Sequence, residues 1–233
     1  LEAVAAPVLQ LRGSVTSARA DGPELRADAA SVLGVTEAFW RLGGAQPFAD
    51  GEDSCVINRA LAGRLDVAAG DEIVVRVQRP SVMSRAAPLA SSADASASLR
   101  LRVAAVAGAE TFGNFSLRAN QLPPLNVFVP LAALQRVARL PGRANLLLVG
   151  RSRRAPVTVD RAQAALRSRW TLADAEAELR TLPEAGPPRT VELRSRRVFL
   201  DAPLAEAAAK ANVPAMGIFS YLANEIRAAQ QAG

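Results

Sequence analysis

Phe112-Gly-Asn-Phe-Ser-Leu-Arg-Ala-Asn-Gln-Leu-Pro-Pro-Leu-Asn-Val-Phe-Val-Pro-Leu131 opens the stretch whose reading decides the fold. Ala132 to Leu140 and then Pro141-Gly-Arg-Ala-Asn-Leu-Leu-Leu-Val149 complete it. The first third is an irregular loop carrying two phenylalanines. Asn126 to Pro130 reads as a short strand that stops at proline, which has no N–H to donate to a ladder. Ala132 to Leu140 has the spacing of a short helix, and 145–149 reads as a second strand. The chain before this stretch reads as small β-rich units and the chain after it as mostly helical, so the fold class is α+β.

Working outward, Leu9, Leu11, Gly13 and Val15 alternate with Gln10, Arg12 and Ser14, a period of two that predicts a half-buried strand. Asp21-Gly22-Pro23 is a turn, followed by a short helix over 24–30 and a strand over 31–36. Glu37 to Leu42 is a helical turn ending at Gly43-Gly44, with Phe39 and Trp40 as core anchors. Residues 55–57 form a strand, and Asn58 is placed to cap a helix over 59–65. Ile73, Val75 and Val77 share one face of a strand, and Leu99, Leu101 and Val103 share a face of another. The two are expected to pair as a hairpin across an Ala-, Ser- and Pro-rich surface loop over 80–98. After Gly150, helices are expected over 159–170 and from Thr171-Leu-Ala-Asp174 to Leu182. A strand over 191–193, extended by 198–200, follows. Asp201 then caps a helix over 202–211, and 217–226 reads as a last strand.

Composition removes several chemistries. There is no histidine, so His-based triads, dyads and imidazole zinc sites are excluded. The one cysteine, Cys55, lies in an apolar run and reads as a buried, inert thiol rather than a nucleophile. Phosphate-loop, dinucleotide-loop and nucleophile-elbow motifs are missing. The acidic segment over 48–54 lacks the ligand spacing of a calcium loop. Glu176 and Glu178 have no base or nucleophile beside them, so a surface helix is the simpler reading. No catalytic residue, cofactor or metal is therefore expected, and the chain reads as a binding or mechanical module, not an enzyme.

The net charge is +6, and all but one of the 28 basic residues are arginine. These arginines are dispersed and mostly alternate with apolar residues on strands, the pattern of a solvated sheet face, so no nucleic-acid partner is expected. No stretch has the length and apolarity of a membrane span, and the start of the sequence lacks the pattern of a signal peptide. Phe112, Phe115 and Leu117 form a small apolar cluster in the loop, and Gln121 lies nearby. Two readings stand: the cluster tucks into the domain, or these four residues are an exposed contact surface for a partner.

Five segments carry a resemblance. They are Val32-Leu-Gly-Val-Thr-Glu-Ala-Phe-Trp40, Val56-Ile-Asn-Arg-Ala-Leu-Ala-Gly-Arg-Leu65 with Gly70-Asp-Glu-Ile73, and Leu101-Arg-Val-Ala-Ala-Val-Ala-Gly108. Asn126-Val-Phe-Val-Pro-Leu-Ala-Ala-Leu-Gln135 and Arg143-Ala-Asn-Leu-Leu-Leu-Val149 complete the set. In order and spacing the chain resembles the extracytoplasmic domain of ABC transporter permeases of the MacB, FtsX and LolC/LolE kind. The resemblance implies a porter-like α/β lobe over 1–43 plus 145–233, with a smaller β-rich lobe inserted over 44–144. It implies membrane helices flanking the chain in a bacterial inner-membrane protein, with this domain on the periplasmic or extracellular side. It also implies a cytoplasmic ATPase subunit as partner through those helices, with a second permease copy or a periplasmic or lipoprotein partner besides. The expected function is to couple ATP hydrolysis to work outside the membrane, as in export or lipoprotein release. A basic surface facing anionic head groups is a further expectation. A free-standing periplasmic binding or adaptor protein that recognises a peptide or lipoprotein is the alternative.

Overall fold

The structure, a computed structural model, describes residues 4–18, 24–44, 51–79, 96–150, 157–182, 190–195, 201–211 and 216–217. The chain divides into two units, Leu1–Arg169 and Trp170–Gly233, and its class is α+β.

The first unit is built on β1 (Ala5–Ser17), β2 (Arg26–Val35), β3 (Ser54–Asn58), β4 (Glu72–Gln78), β5 (Ser96–Ala107), β6 (Asn126–Pro130) and β7 (Leu146–Val149). Their order is β2-β6-β3-β5-β4-β1-β7, and β1 also pairs with β2. That extra pairing closes the first six strands into a barrel. Gly13 to Thr16 of β1 meet β2 on one side and β4 on the other. Farther toward its start, β1 pairs Ala5–Val8 with β7. Ring closure removes the free edges that an open sheet exposes.

Alternation along the strands fills the barrel. Leu9, Leu11, Val15, Val32, Ile57, Ile73, Val75, Val77, Leu101, Val103, Val127 and Val129 belong to one buried cluster. Helices α2 (Arg59–Leu65) and α3 (Leu131–Ala138) add Leu61, Leu65 and Leu134 to it. The opposite faces of β1, β2, β3 and β6 contribute Val8, Leu33, Val56 and Phe128 to a second cluster, shared with Phe39 and Trp40 of α1 (Glu37–Leu42). The expected core anchors are therefore in the core. Burial on this scale is the main stabilising term, at about 1.5–3 kcal/mol for each large apolar side chain.

Asn58 caps α2 as read from the sequence: its Oδ1 accepts from the Leu61 N–H at 3.1 Å. The 73–77 and 99–103 strands pair antiparallel, also as expected. Several expectations are corrected. The helix placed over 24–30 is the first part of β2. Ala27 and Ala30 both turn into the barrel core, and Ala29 at φ +59° forms a bulge that keeps them in phase. Ser96 to Ser98 belong to β5 rather than to the surface loop; residues 80–95 lie outside the described set. The lobe boundaries at 43/44 and 144/145 cut through the barrel: β3 to β6 are one run of its ring, but β4 pairs with β1 and β6 with β2, so they share a single sheet and core with the strands before them. The break between units comes instead at Trp170.

Helix α4 (Val159–Arg169) forms as expected, but the side expected to pack stays open: Leu166 is 61% exposed and no residue of α4 is buried. In the second unit, Thr171 and Asp174 do form a box, with the Thr171 N–H donating to Asp174 Oδ2 at 2.8 Å. The helix it starts is only a 3-10 turn, Leu172–Ala175, because Glu176 adopts φ +55° and redirects the chain. Residues expected to continue that helix form β8 (Ala177–Leu182), antiparallel to β9 (Thr190–Ser195). Glu178 thus faces Arg194 across the pair at 3.5 Å, not Glu176 along a helix. Helix α5 (Ala202–Ala209) follows Asp201, whose side chain makes no capping bond. The turn at 21–23, the strand extension over 198–200 and most of the strand expected over 217–226 lie outside the described residues.

Candidate contact surface

The loop between β5 and β6 begins with a 3-10 turn, Ala109–Thr111, and turns sharply at Phe112, which sits at φ +66°. Two glycines permit the approach. A Cβ on Gly113 would lie 2.6 Å from the Ala107 carbonyl oxygen, and one on Gly43 would lie 2.5 Å from Phe112 Cβ. Phe112 and Phe115 are half-buried. Both rings pack on Phe39, with centroids 5.0 and 5.3 Å away, the second edge-on at 81°. Phe128 and Trp40 continue the cluster at 5.5 and 5.2 Å from Phe39 and 4.9 Å from each other, distances at which aromatic pairs attract beyond simple burial.

Two buried asparagines clamp the loop to the barrel. Asn126 donates from Nδ2 to the Gly113 and Phe115 carbonyls, both at 2.9 Å. Asn58 donates to the Pro124 carbonyl at 2.7 Å and to Asn114 Oδ1 at 3.1 Å, while its Oδ1 accepts from the Asn126 N–H as well as from Leu61. All four of its hydrogen-bonding positions are filled. One side chain thus joins β3, α2, β6 and both ends of the loop. Two carbonyl acceptors around Asn126 fix which of its side-chain atoms is the amide nitrogen. Its Oδ1 is left with no partner.

Beyond the clamp the loop stands out. Ser116 Oγ donates to the Arg118 carbonyl at 3.0 Å and accepts from Arg118 N–H and Asn120 Nδ2 at 3.1 and 2.9 Å. This small turn presents Leu117, 62% exposed, and Gln121. Leu122, 79% exposed, follows directly. Of the four residues singled out from sequence, Phe112 and Phe115 are thus on the core side of the loop, and Leu117 and Gln121 on the open side. The sequence reading overlooked Leu122, although a leucine before Pro-Pro lacks the periodicity of a buried position. It also overlooked Asn126, whose role depends on carbonyls 11 and 13 positions away.

Chemistry at the other expected positions is quiet. Cys55 is buried, and burial pushes its thiol up to about 12, so a thiolate is scarce near neutrality. Glu52 pairs with Arg136 at 2.9 Å on the surface, and the guanidinium holds its carboxyl below the usual value. Among the described residues no group of three His, Cys, Asp or Glu side chains is arranged to hold a metal. Among the same residues no helix is long and apolar enough to cross a membrane.

No family model matches the sequence, and no curated protein is similar to it. Among solved structures the chain is similar to the periplasmic region of MacB from Actinobacillus actinomycetemcomitans, with a TM-score of 0.40 and 12% identity. The alignment covers 70% of this chain and 64% of that one, so the chain spans under two thirds of that structure.

Proposed function

We propose that this chain is the non-catalytic extracytoplasmic domain of an ABC transporter permease, coupling ATP hydrolysis by a cytoplasmic ATPase subunit to work outside the membrane. The observation that carries this reading is where the five resembling segments fall. They lie on β2–α1, β3–α2 with the start of β4, β5, β6–α3 and β7, so four of the five segments picked from sequence supply strands of one barrel and the helices packed on it, and the fifth is the strand that pairs with β1 beside it. A closed barrel with two buried clusters is a stiff body, suited to being moved as a unit by helices attached to it. Export or lipoprotein release is the work this reading assigns, on the periplasmic side of a bacterial inner membrane. The sequence around the chain in its parent gene tests it. Hydrophobic segments of about 20 residues are expected before Leu1 and after Gly233. A stop codon soon after Gly233 with no such segment refutes it.

A second reading is favoured by the clamped loop. A free-standing binding or adaptor protein would use a fixed loop with exposed Leu117, Gln121 and Leu122 to recognise a peptide or lipoprotein. It requires no downstream spans, so the same gene sequence separates the two.

A further inference from the structure

The pairing register brings together arginines that are far apart in sequence. Arg76 lies opposite Ser14, Arg100 opposite Val74 and Arg102 opposite Glu72. Arg12 lies two residues from Ser14 on β1, hence on the same outer face and diagonal to Arg76. Arg76 is in turn diagonal to Arg100. Diagonal neighbours across paired strands are about 7–8 Å apart, and alternate residues along a strand about 7 Å. Arg12, Arg76, Arg100 and Arg102 therefore make one oblique stripe roughly 20 Å long across β1, β4 and β5, by those same spacings.

All four side chains are exposed. Glu72, on the same face, pairs with Arg100 at 2.8 Å. Asp28, on neighbouring β2, is held by Arg26 at 2.8 Å. Arg76 reaches the hydroxyl of Ser98, at 3.4 Å. Among the described residues of β1, β4 and β5, these four cations share their face with one carboxylate, Glu72, so the stripe complements a negatively charged partner. The other residues of the face are Ser14, Thr16, Val74, Gln78, Ser96 and Ser98, with no aromatic ring for a nucleobase to stack on. The outside of a barrel is convex. A discrete soluble anion is normally held in a concave, partly dry site, whereas a lipid surface brings many phosphates up to a convex face.

We propose that this β1–β4–β5 face binds the phosphate head groups of an anionic lipid bilayer. The inference stands on the register and charge of the barrel and is independent of the permease reading, since a free-standing protein with this face would bind equally. Each arginine near such a surface contributes about 1 kcal/mol, roughly fivefold in affinity, and the effect fades within a Debye length of about 8 Å at physiological salt.

The test is co-sedimentation of the 233-residue chain with vesicles of phosphatidylcholine containing phosphatidylglycerol, against phosphatidylcholine alone, at low and high salt. Binding is expected only to the anionic vesicles, and weaker at high salt. The triple variant Arg12→Gln/Arg76→Gln/Arg102→Gln is expected to bind roughly a hundredfold less tightly, the product of three fivefold losses. A control triple with the same charge change elsewhere, Arg64→Gln/Arg118→Gln/Arg167→Gln, should lose less than fivefold. Equal losses in the two triples would reduce the effect to net charge and overturn the proposal. So would binding to neutral vesicles, or no binding at low salt. Binding to soluble polyphosphate or single-stranded DNA without binding to vesicles would overturn it as well. Glu72→Gln guards against a triple variant that fails to fold: it removes the anion from the face, so tighter vesicle binding supports the proposal and unchanged or weaker binding sinks it.

Discussion

Replacing Asn58 by alanine removes four hydrogen bonds at one point, and the expected cost follows from what each partner does next. The Leu61 N–H loses its helix cap, worth about 1 kcal/mol. The buried Asn126 N–H, 3.1 Å from Asn58 Oδ1, and the Pro124 carbonyl, 2.7 Å from its Nδ2, lose their partners. An unmet buried group costs about 1–3 kcal/mol. Asn114 is exposed and finds water, so its loss adds little. Because these losses share one relaxation they do not sum fully, and about 3–5 kcal/mol is the expected total. Urea unfolding followed by far-UV circular dichroism measures it as a lower midpoint at unchanged slope. The Asn58→Asp variant sharpens the test. A carboxylate keeps the two acceptor roles but sets negative charge against the Pro124 carbonyl, so its folded-state pKa is raised above the unfolded value by burial and by that oxygen. A raised pKa means that the protonated form is favoured in the folded state. The stability it confers is therefore present below the unfolded pKa and lost as pH rises through the folded one. Asn58→Asp should thus approach the native protein at acid pH and fall away from it toward neutrality. A loss below 1 kcal/mol for Asn58→Ala, or a pH-independent deficit for Asn58→Asp, would show that the loop is not held by this residue.

Other perturbations probe the same body. Phe39→Ala removes the ring on which Phe112, Phe115, Trp40 and Phe128 converge, and should cost about 3–5 kcal/mol in the same unfolding experiment. Phe115→Ala, on a half-buried ring, should cost roughly half as much; no measurable loss would place that ring outside the core. Ala29→Gly relieves an L-residue at φ +59° and is expected to change stability by less than about 1 kcal/mol in either direction, whereas Ala29→Val at that backbone angle should destabilise by about 1–2 kcal/mol. Cys55 should resist alkylation by a maleimide in native buffer at pH 7 and react promptly in concentrated urea, since its thiol is buried and pushed up to about 12; rapid labelling of the folded chain would contradict that. Leu122→Asp should leave the unfolding free energy within about 0.5 kcal/mol of the native protein's in the same experiment, because its side chain has little to lose.

Strands β1, β4 and β5 were legible because each alternates buried and open positions over much of its length, and that pattern is local; β3 and β6, buried on both faces, read only as short apolar runs. Ile73, Val75 and Val77 announce a buried face without reference to any other segment. Closure was not legible, since it depends on Gly13–Thr16 serving β2 and β4 at once, a fact of register between residues some 60 positions apart. This is why a lobe boundary was drawn through what is one ring. The short helix expected at 24–30 failed for a related reason: its alanines suit a helix by propensity, but burial of Ala27 and Ala30 against β1 overrides it. Beyond Trp170 the error was one residue deep. The Thr171–Asp174 box was right, and the left-handed turn at Glu176, on a residue that gives no signal of it, changed what followed. At the candidate surface the sequence marked the right loop but sorted its residues by hydrophobicity alone. Phe115 and Leu117 look alike in a string, and they separate only because Asn126 takes the Phe115 carbonyl and turns the next residues outward.

That separation bears on how such a loop would be used. A loop that must be ordered when it meets a partner loses conformational entropy on contact, at roughly 0.5–1.5 kcal/mol for each immobilised side chain. Here most of that cost is already met in the fold. The backbone at Gly113, Phe115 and Pro124 is fixed by Asn58 and Asn126, and the turn at Ser116 to Asn120 is closed by its own hydroxyl. Leu117 and Leu122 are then held out by a rigid base, and their contact with a partner would retain most of its apolar gain. The same clamp ties the loop to β3 and β6, so a displacement of the barrel carries the tip with it instead of being absorbed by slack. For a domain that transmits motion, that is the property required, and it rests on two asparagines. Weakening the clamp with Asn126→Ala should therefore lower any partner affinity measured at Leu122 even where the exposed residues are untouched; an unchanged affinity would mean that the tip is ordered by its own turn alone.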